Sequence, residues 1–393
     1  MERRSMRPGL SFVAIIFLAF LFLPGKALGA EFVIVGPRAM GMGGAGVAIT
    51  TDALATYWNP AGLAMTQTVD IRIVGSAQAI DRLGIADAVG DLENFDTSDT
   101  SPANVAKAQD IANRINRPGA NTSFNGAAGV YVKGHFGEHA FGFNISNVPT
   151  GGGFLSSPVG VSCSPNPNCA APGPISSVSV SGAMAVRALE ARQAAFSYAY
   201  AFADKTFAIG VTAKIIQGAA YNGTQNLVGG QEIKLSDSLG EATITTTYGI
   251  DVGAIYRPSS WLRFGVVAKD LNQPEFDAPD GTKIKLGPQV RGGMALNPYS
   301  SLTLSADVDV TSNKTLVPGV KSQVLSLGAE QTILTEFLSF RLGAFKNMQD
   351  AATPFTPTAG LGVRIFMVRL DVGGGYDFRE KGALVSGSLS LTF

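Results

Sequence analysis

Beyond residue 69 the chain alternates in twos. Along Phe207, Ile209, Val211, Ala213 and Ile215 every second residue is apolar, and the residues between them are Ala208, Gly210, Thr212 and Lys214. The same alternation sets Leu262, Phe264, Val266 and Ala268 against Arg263 and Lys269, and Leu338, Phe340, Leu342 and Ala344 against Arg341. Val368, Leu370, Val372 and Tyr376 likewise oppose Arg369, Asp371 and Asp377, while Leu302 to Val310 carries Asp307 and Asp309 on its second face. A period of two is the mark of a strand with one apolar face. Soluble sandwiches alternate as well. Here, however, the strands read as about 9–13 residues, longer than the usual five or six, and their polar face mixes glycine with charges of both signs.

The connections alternate too, short turns with longer polar stretches. Val69 to Ile80 comes first; Ser123 to Lys133 and Glu138 to Val148 then flank Gly134 to Gly137, and Arg192 to Ala203 and Lys205 to Gln217 meet at Asp204. Four further pairs follow between Thr243 and Phe378, and Ala383 to Phe393 comes last. The count is about fourteen, an even number with both ends on the short-turn side, as transmembrane barrels require. Long loops are expected near 81–122, with an exposed helix near Ala103 to Ile115; near 149–191, with a helical turn near Met184 to Glu190; and near 218–242.

Ahead of the strands stand two other segments. Arg3, Arg4 and Arg7, the apolar run Phe12 to Leu23 and the small-residue site Ala27-Leu28-Gly29 read as a signal peptide over residues 1–29, with a mature chain starting near Ala30. Residues 30–68 include the glycine-rich stretch Gly36 to Gly62. Its Gly41-Met42-Gly43-Gly44-Ala45-Gly46 follows the apolar run Phe32 to Val35, as a dinucleotide-binding turn would. The strand and helix alternation such a domain needs is missing downstream. The stretch is placed instead to be a hatch inside a closed sheet. Asp52 can cap a short helix from Ala53 to Tyr57, which Asn59-Pro60 stops.

Composition agrees: 47 of 393 residues are glycine, 15% are charged and 46% are hydrophobic, against about 7% glycine and about 25% charged in ordinary globular chains. No apolar run after the signal peptide approaches the roughly 18 residues of a membrane helix. An exported, apolar chain without spanning helices satisfies its backbone in lipid only as a closed barrel. The expectation is therefore an all-β fold: an antiparallel transmembrane β-barrel of about fourteen strands over 69–393, with an N-terminal hatch, 30–68, in its lumen. The location expected is the bacterial outer membrane. A formal net charge of +0 gives no case for nucleic acid.

Candidate chemistry is sparse. Cys163 and Cys169 are expected to form a loop disulfide in an oxidising compartment. No metal site is expected, because the only histidines, His135 and His139, lie away from both cysteines. With no G-x-S-x-G elbow and both histidines bracketing one turn, the chain does not read as an enzyme, and no cofactor is expected. Lys214, Arg263, Arg341, Arg369 and Asp371 are expected as lumen charges. Leu389 to Phe393 alternates up to a terminal phenylalanine, which resembles the signal read by the bacterial barrel-insertion machinery.

At Gly36 to Ala45 and Asn59-Pro60-Ala61-Gly62 the chain resembles the FadL-like outer-membrane family. That family includes long-chain fatty-acid and aromatic-hydrocarbon transporters, PorV-type secretion proteins and a conjugal-transfer TraF-type branch. The resemblance implies a fourteen-stranded barrel plugged by an N-terminal hatch, with Asn59, Pro60 and Ala61 beside a bound hydrophobic ligand and Trp58, Gly43 and Gly44 in the same site. The function expected is uptake or diffusion of hydrophobic or amphipathic small molecules, gated by the hatch. The alternative is a non-transporting assembly or secretion partner, of PorV or TraF type, working with other envelope proteins.

Overall fold

The structure, a computed structural model, describes residues 31–169, 173–233, 239–334, 336–350, 353–379 and 381–393. The expected signal peptide and its cleavage site before Ala30 lie outside the described residues.

Fourteen strands close an antiparallel barrel. In chain order they are β1 (Asp70–Arg82), β2 (Asn121–Phe136), β3 (His139–Ser164), β4 (Ser177–Phe202), β5 (Phe207–Val228), β6 (Thr243–Ser259) and β7 (Leu262–Lys269). After the small hairpin β8 (Glu275–Asp277) and β9 (Lys283–Lys285) come β10 (Gln289–Tyr299) and β11 (Leu302–Asp309). A second small hairpin, β12 (Asn313–Lys314) and β13 (Lys321–Ser322), precedes β14 (Val324–Ile333), β15 (Leu338–Asn347), β16 (Thr356–Ile365), β17 (Val368–Asp377) and β18 (Gly382–Thr392). Each wall strand pairs with its neighbour in sequence. β1 meets β18 from Asp70↔Thr392 to Ala79↔Ala383, so the wall has no free edge.

The faces are inverted relative to a soluble protein. Ile145 is 61% and Leu342 68% exposed on the outside, while their neighbours Asn144 and Arg341 are buried inside. An apolar exterior around a polar interior is stable in lipid and unstable in water. No helix among the described residues is long and apolar enough to cross a membrane.

The expected loop 149–191 is largely strand, and the expected loop 218–242 begins as strand. Residues 149–191 extend β3 and β4 to 26 residues each, and 218–228 extends β5. The expected helical turn at Met184 to Glu190 is part of β4. Glycine, proline and serine signal loops locally, but here the paired partner decides. The extended strands bond one another from His139↔Tyr200 to Ser164↔Ser177 and are covered by α3 (Ile85–Glu93) and α4 (Pro102–Ile115). Helix α4 starts where Ser101 Oγ accepts the Asn104 amide. Rather than standing exposed, it buries Ala108, Ile111, Ala112 and Ile115 against Val159, Val178 and Leu227. Cys163 and Cys169 are joined near the tip of this extension.

Residues 31–69 run inside the barrel through α1 (Pro37–Gly41), α2 (Ala55–Trp58) and a 3-10 turn, Pro60–Met65. Small residues on both sides let the two backbones meet. A Cβ on Gly41 would stand 2.9 Å from the Gly360 Cα, and one on Gly265 would stand 2.8 Å from the Val47 oxygen. Gly43 adds a φ of +67° that L side chains rarely adopt. Trp58 is fully buried, with its Nε1 donating to the Val35 oxygen at 2.8 Å.

Two outcomes follow. Val372→Arg, midway along the lipid face of β17, should destabilise the barrel by about 2–4 kcal/mol in a urea titration of folding into vesicles. Replacing Cys163 and Cys169 by serine should leave heat-modifiable gel mobility intact, because the bridge closes a loop of only 6 residues.

Candidate functional site

The inner segment is held to the wall by buried charge. In the otherwise uncharged run of residues 36–51, Arg38 reaches Glu330 on β14 at 2.6 Å. Glu330 in turn meets Arg341 at 2.6 Å, Arg341 meets Asp371 at 2.8 Å, and Asp371 meets Arg369 at 3.0 Å. On β11, Asp307 accepts the amides of Gly46 and Val47 at 2.7 and 2.8 Å. Arg291 pairs with Asp309 at 2.6 Å and lies 4.1 Å over the Phe32 ring. Asp70 accepts the Ala53 amide at 2.9 Å, and Lys133 donates to the Thr51 and Thr66 oxygens at 2.7 and 2.9 Å. Buried charges survive in a low-dielectric interior only when paired and hydrogen-bonded in this way.

The expected lumen charges all face inward. Lys214 sits between Asp251 and Asp270 at 2.8 and 2.7 Å, and Arg263 donates to the Ala48 oxygen at 3.2 Å. Arg341, Arg369 and Asp371 form one cluster around Glu330. Alternation identifies these wall residues. Arg38 and Glu330 escape it, although a lone arginine in a charge-free glycine stretch was a signal that a distant carboxylate must answer it.

Asn59 is fully buried. Its amide donates to the Val47 oxygen at 3.1 Å and the Ala254 oxygen at 3.2 Å, and its Oδ1 accepts the Ala61 amide. Pro60 packs against Gly210, and Gly43 donates to Thr358 Oγ1 at 2.9 Å. Asn59, Pro60, Ala61, Trp58, Gly43 and Gly44 pin the segment to the wall, and none of them lines the cavities below. Phe393 exchanges both backbone bonds with Val69 beneath the β1/β18 seam.

A first cavity, of about 60 Å³, lies inside the lumen above the segment. Val33, Tyr57, Val148, Leu189 and Ile216 supply its apolar lining, and Lys269, Glu31 and Gln193 supply polar groups. The Lys269 ammonium stands 3.3 Å from the Tyr57 ring centroid and 4.5 Å from that of Phe32. Among the described residues no carboxylate pairs with it. The β8–β9 hairpin roofs this side of the lumen, packing Phe276 and Leu286 against Leu189 and Ile216.

A second cavity, of about 770 Å³, opens across the outer wall at β18, β1, β2 and β3. Its surface is built from small residues such as Gly75, Ala77, Gly126 and Ala128. Here the β2/β3 ladder lapses. Pairing reaches Asn125↔Thr150 and resumes in the same register at Ala128↔Asn147, skipping Val148 and Pro149. Pro149 has no N–H to give. Val148 lines the inner cavity and Pro149 the outer one. Between them stands Asn125, which donates to Glu31 Oε1 and accepts from Thr150 Oγ1 at 2.7 Å.

Residues 56–309 match the family described as F plasmid transfer operon, TraF, protein. The chain belongs to that family. This TraF-family chain has no match among curated proteins. Solved structures share its fold. The toluene transporter TbuX of Ralstonia pickettii is 15% identical with a TM-score of 0.53, over 93% of this chain and 98% of that one. The monoaromatic hydrocarbon channel CymD is 13% identical with a TM-score of 0.52, over 93% and 98%. A TodX channel lacking S2 and S3 is 11% identical with a TM-score of 0.52, over 91% and 97%. At these identities the likeness is one of fold, and it agrees with the FadL-like architecture expected from the glycine-rich stretch.

Removing the central carboxylate should loosen the inner segment without opening the wall. Glu330→Gln leaves Arg38 and Arg341 without their shared partner, at a cost of about 3–5 kcal/mol. Hydrogen exchange should rise over residues 36–50 and stay unchanged in β1 and β2; uniform acceleration would show that the segment and the wall open as one unit.

Proposed function

We propose that the protein is an outer-membrane barrel that passes hydrophobic or amphipathic small molecules, with its N-terminal hatch holding the lumen shut beneath them. The observation that carries this reading is the pair of cavities on either side of the lapse between β2 and β3. An apolar molecule entering the lumen would contact Val33, Tyr57, Val148 and Ile216, and the chamber of about 60 Å³ must widen to admit it. A negatively charged head group would find Lys269 above the aromatic rings. Passage straight through the hatch would break several buried ion pairs, each costing several kcal/mol. Passage through the wall breaks no ladder bond at Pro149 and needs Glu31 to release Asn125. In this account the hatch gates by moving Glu31, and Asn59-Pro60-Ala61 hold its turn in place. TbuX and CymD, described as a toluene transporter and a monoaromatic hydrocarbon channel, support this class of cargo and a non-enzymatic role.

Family membership supports a second reading, an envelope assembly partner in conjugal transfer. The many bonds that seal the hatch favour it. On that reading the working surface is the extension formed by α3, α4 and the Cys163–Cys169 tip.

A reversible cross-link separates the two. In a Cys163→Ser/Cys169→Ser background, Gly126→Cys and Pro149→Cys face each other across the lapse, and an oxidised bridge would close it. Uptake of toluene and of a long-chain fatty acid by cells should fall at least tenfold on oxidation and return with reductant. Equal uptake in both states removes the wall route, and no uptake by the parent transfers the case to the assembly reading.

A further inference from the structure

A third cavity, of about 90 Å³, lies on the opposite side of the lumen under a polar roof. The Arg82–Asp350 ion pair forms that roof, Thr353 Oγ1 donates to Asp350 at 2.6 Å, and Thr356 Oγ1 donates to Asp377 at 2.8 Å. Beneath it Ile80, Phe345 and Leu384 make the floor and walls apolar. One polar group stands apart. Gln78 faces the lumen on β1, opposite Leu384 on one side and Asn125 on the other, and lines both this cavity and the one in the outer wall. Among the described residues its half-buried carboxamide has no hydrogen-bond partner; the carboxylates and the Arg82 guanidinium around the cavity are paired, although the buried Arg82 Nε itself has no partner.

We propose that this cavity is a second ligand chamber, and that Gln78 selects in it for uncharged single-ring compounds bearing a hydroxyl group. The inference rests on the transport reading above and adds a selectivity to it. Size limits the cargo to one ring: a cavity of the order of 150 Å³ takes benzene, and this one, at about 90 Å³, is smaller. Charge is excluded because the roof already pairs its own cations and anions, and an added ion would leave one of them unmatched. A hydroxyl both donates and accepts, as the carboxamide does. A free carboxamide in the wall of the chamber favours a cargo that can pair with it. Since Gln78 sits beside Asn125, a cargo bonded to it is also placed against the lapse in the wall.

The test uses the purified full-length mature protein and two small probes, 4-fluorophenol and fluorobenzene, followed by fluorine NMR titration. The parent should bind 4-fluorophenol about three- to tenfold more tightly, the worth of one net hydrogen bond. Gln78→Leu and Gln78→Met, two variants so that one failing to insert does not end the test, should erase that preference and keep fluorobenzene binding. Phe345→Trp, which fills the cavity, should weaken both probes. A parent that binds both equally, or a preference that survives in a folded Gln78 variant, overturns the inference. If cells carrying that parent still take up either compound, the transport reading stands without it. A parent that neither binds nor takes up either probe defeats both.

Discussion

A wall of fourteen strands encloses more space than its own inward side chains can fill, and the rest of this molecule answers that constraint. The filler must be thin, because it shares the lumen with the wall's own charges. Glycine makes it thin from both sides: Gly41 lies against Gly360, and Gly265 admits Val47. The abundance of glycine is therefore a packing device shared by the hatch and the barrel. Where backbones come this close, polar groups lose water, and each must find a fixed partner. Asp307, Asp70, Lys133 and Thr358 supply such partners to hatch amides and carbonyls from around the ring.

Such a plug is costly to displace, and that cost directs attention to the wall. The seam between β2 and β3 is one place where the ladder lapses, at Val148 and Pro149, while both strands stay paired on their other edges to β1 and β4. Only side chains close it from within, through Glu31, Asn125 and Thr150. Moving one glutamate at the head of the hatch is a smaller rearrangement than drawing the hatch out past Glu330 and Asp309. In the proposed function the body of the inner segment seals the lumen, and Glu31 beside Asn125 is the part that moves.

Much of this architecture is legible in the sequence. Alternation assigns Arg341, Arg369 and Asp371 to one face, and strand after strand of it gives the barrel. The helix expected near Ala103 to Ile115 is α4. Three features escape. The extensions of β3 and β4 are obscured because Gly151 to Gly153 and the serines after them look like loop residues, and only their cross-strand pairing makes them strand. The Arg38–Glu330 contact joins residues 292 apart, a distance that no local pattern spans. The wall cavity is lined by Gly75 and Gly126, which by themselves are no different from the glycines that pack the hatch.

On the transport reading, apolar space runs from the lumen to the bilayer face of β2 and β3. Diffraction from crystals held under xenon pressure tests it most directly, since xenon enters apolar cavities and scatters anomalously. Xenon should appear beside Val148 and Tyr57, beneath Arg82 and Asp350, and on the outer wall between Gly75 and Pro149. Xenon confined to the outer wall, with both lumen chambers empty or filled by ordered water, would contradict it.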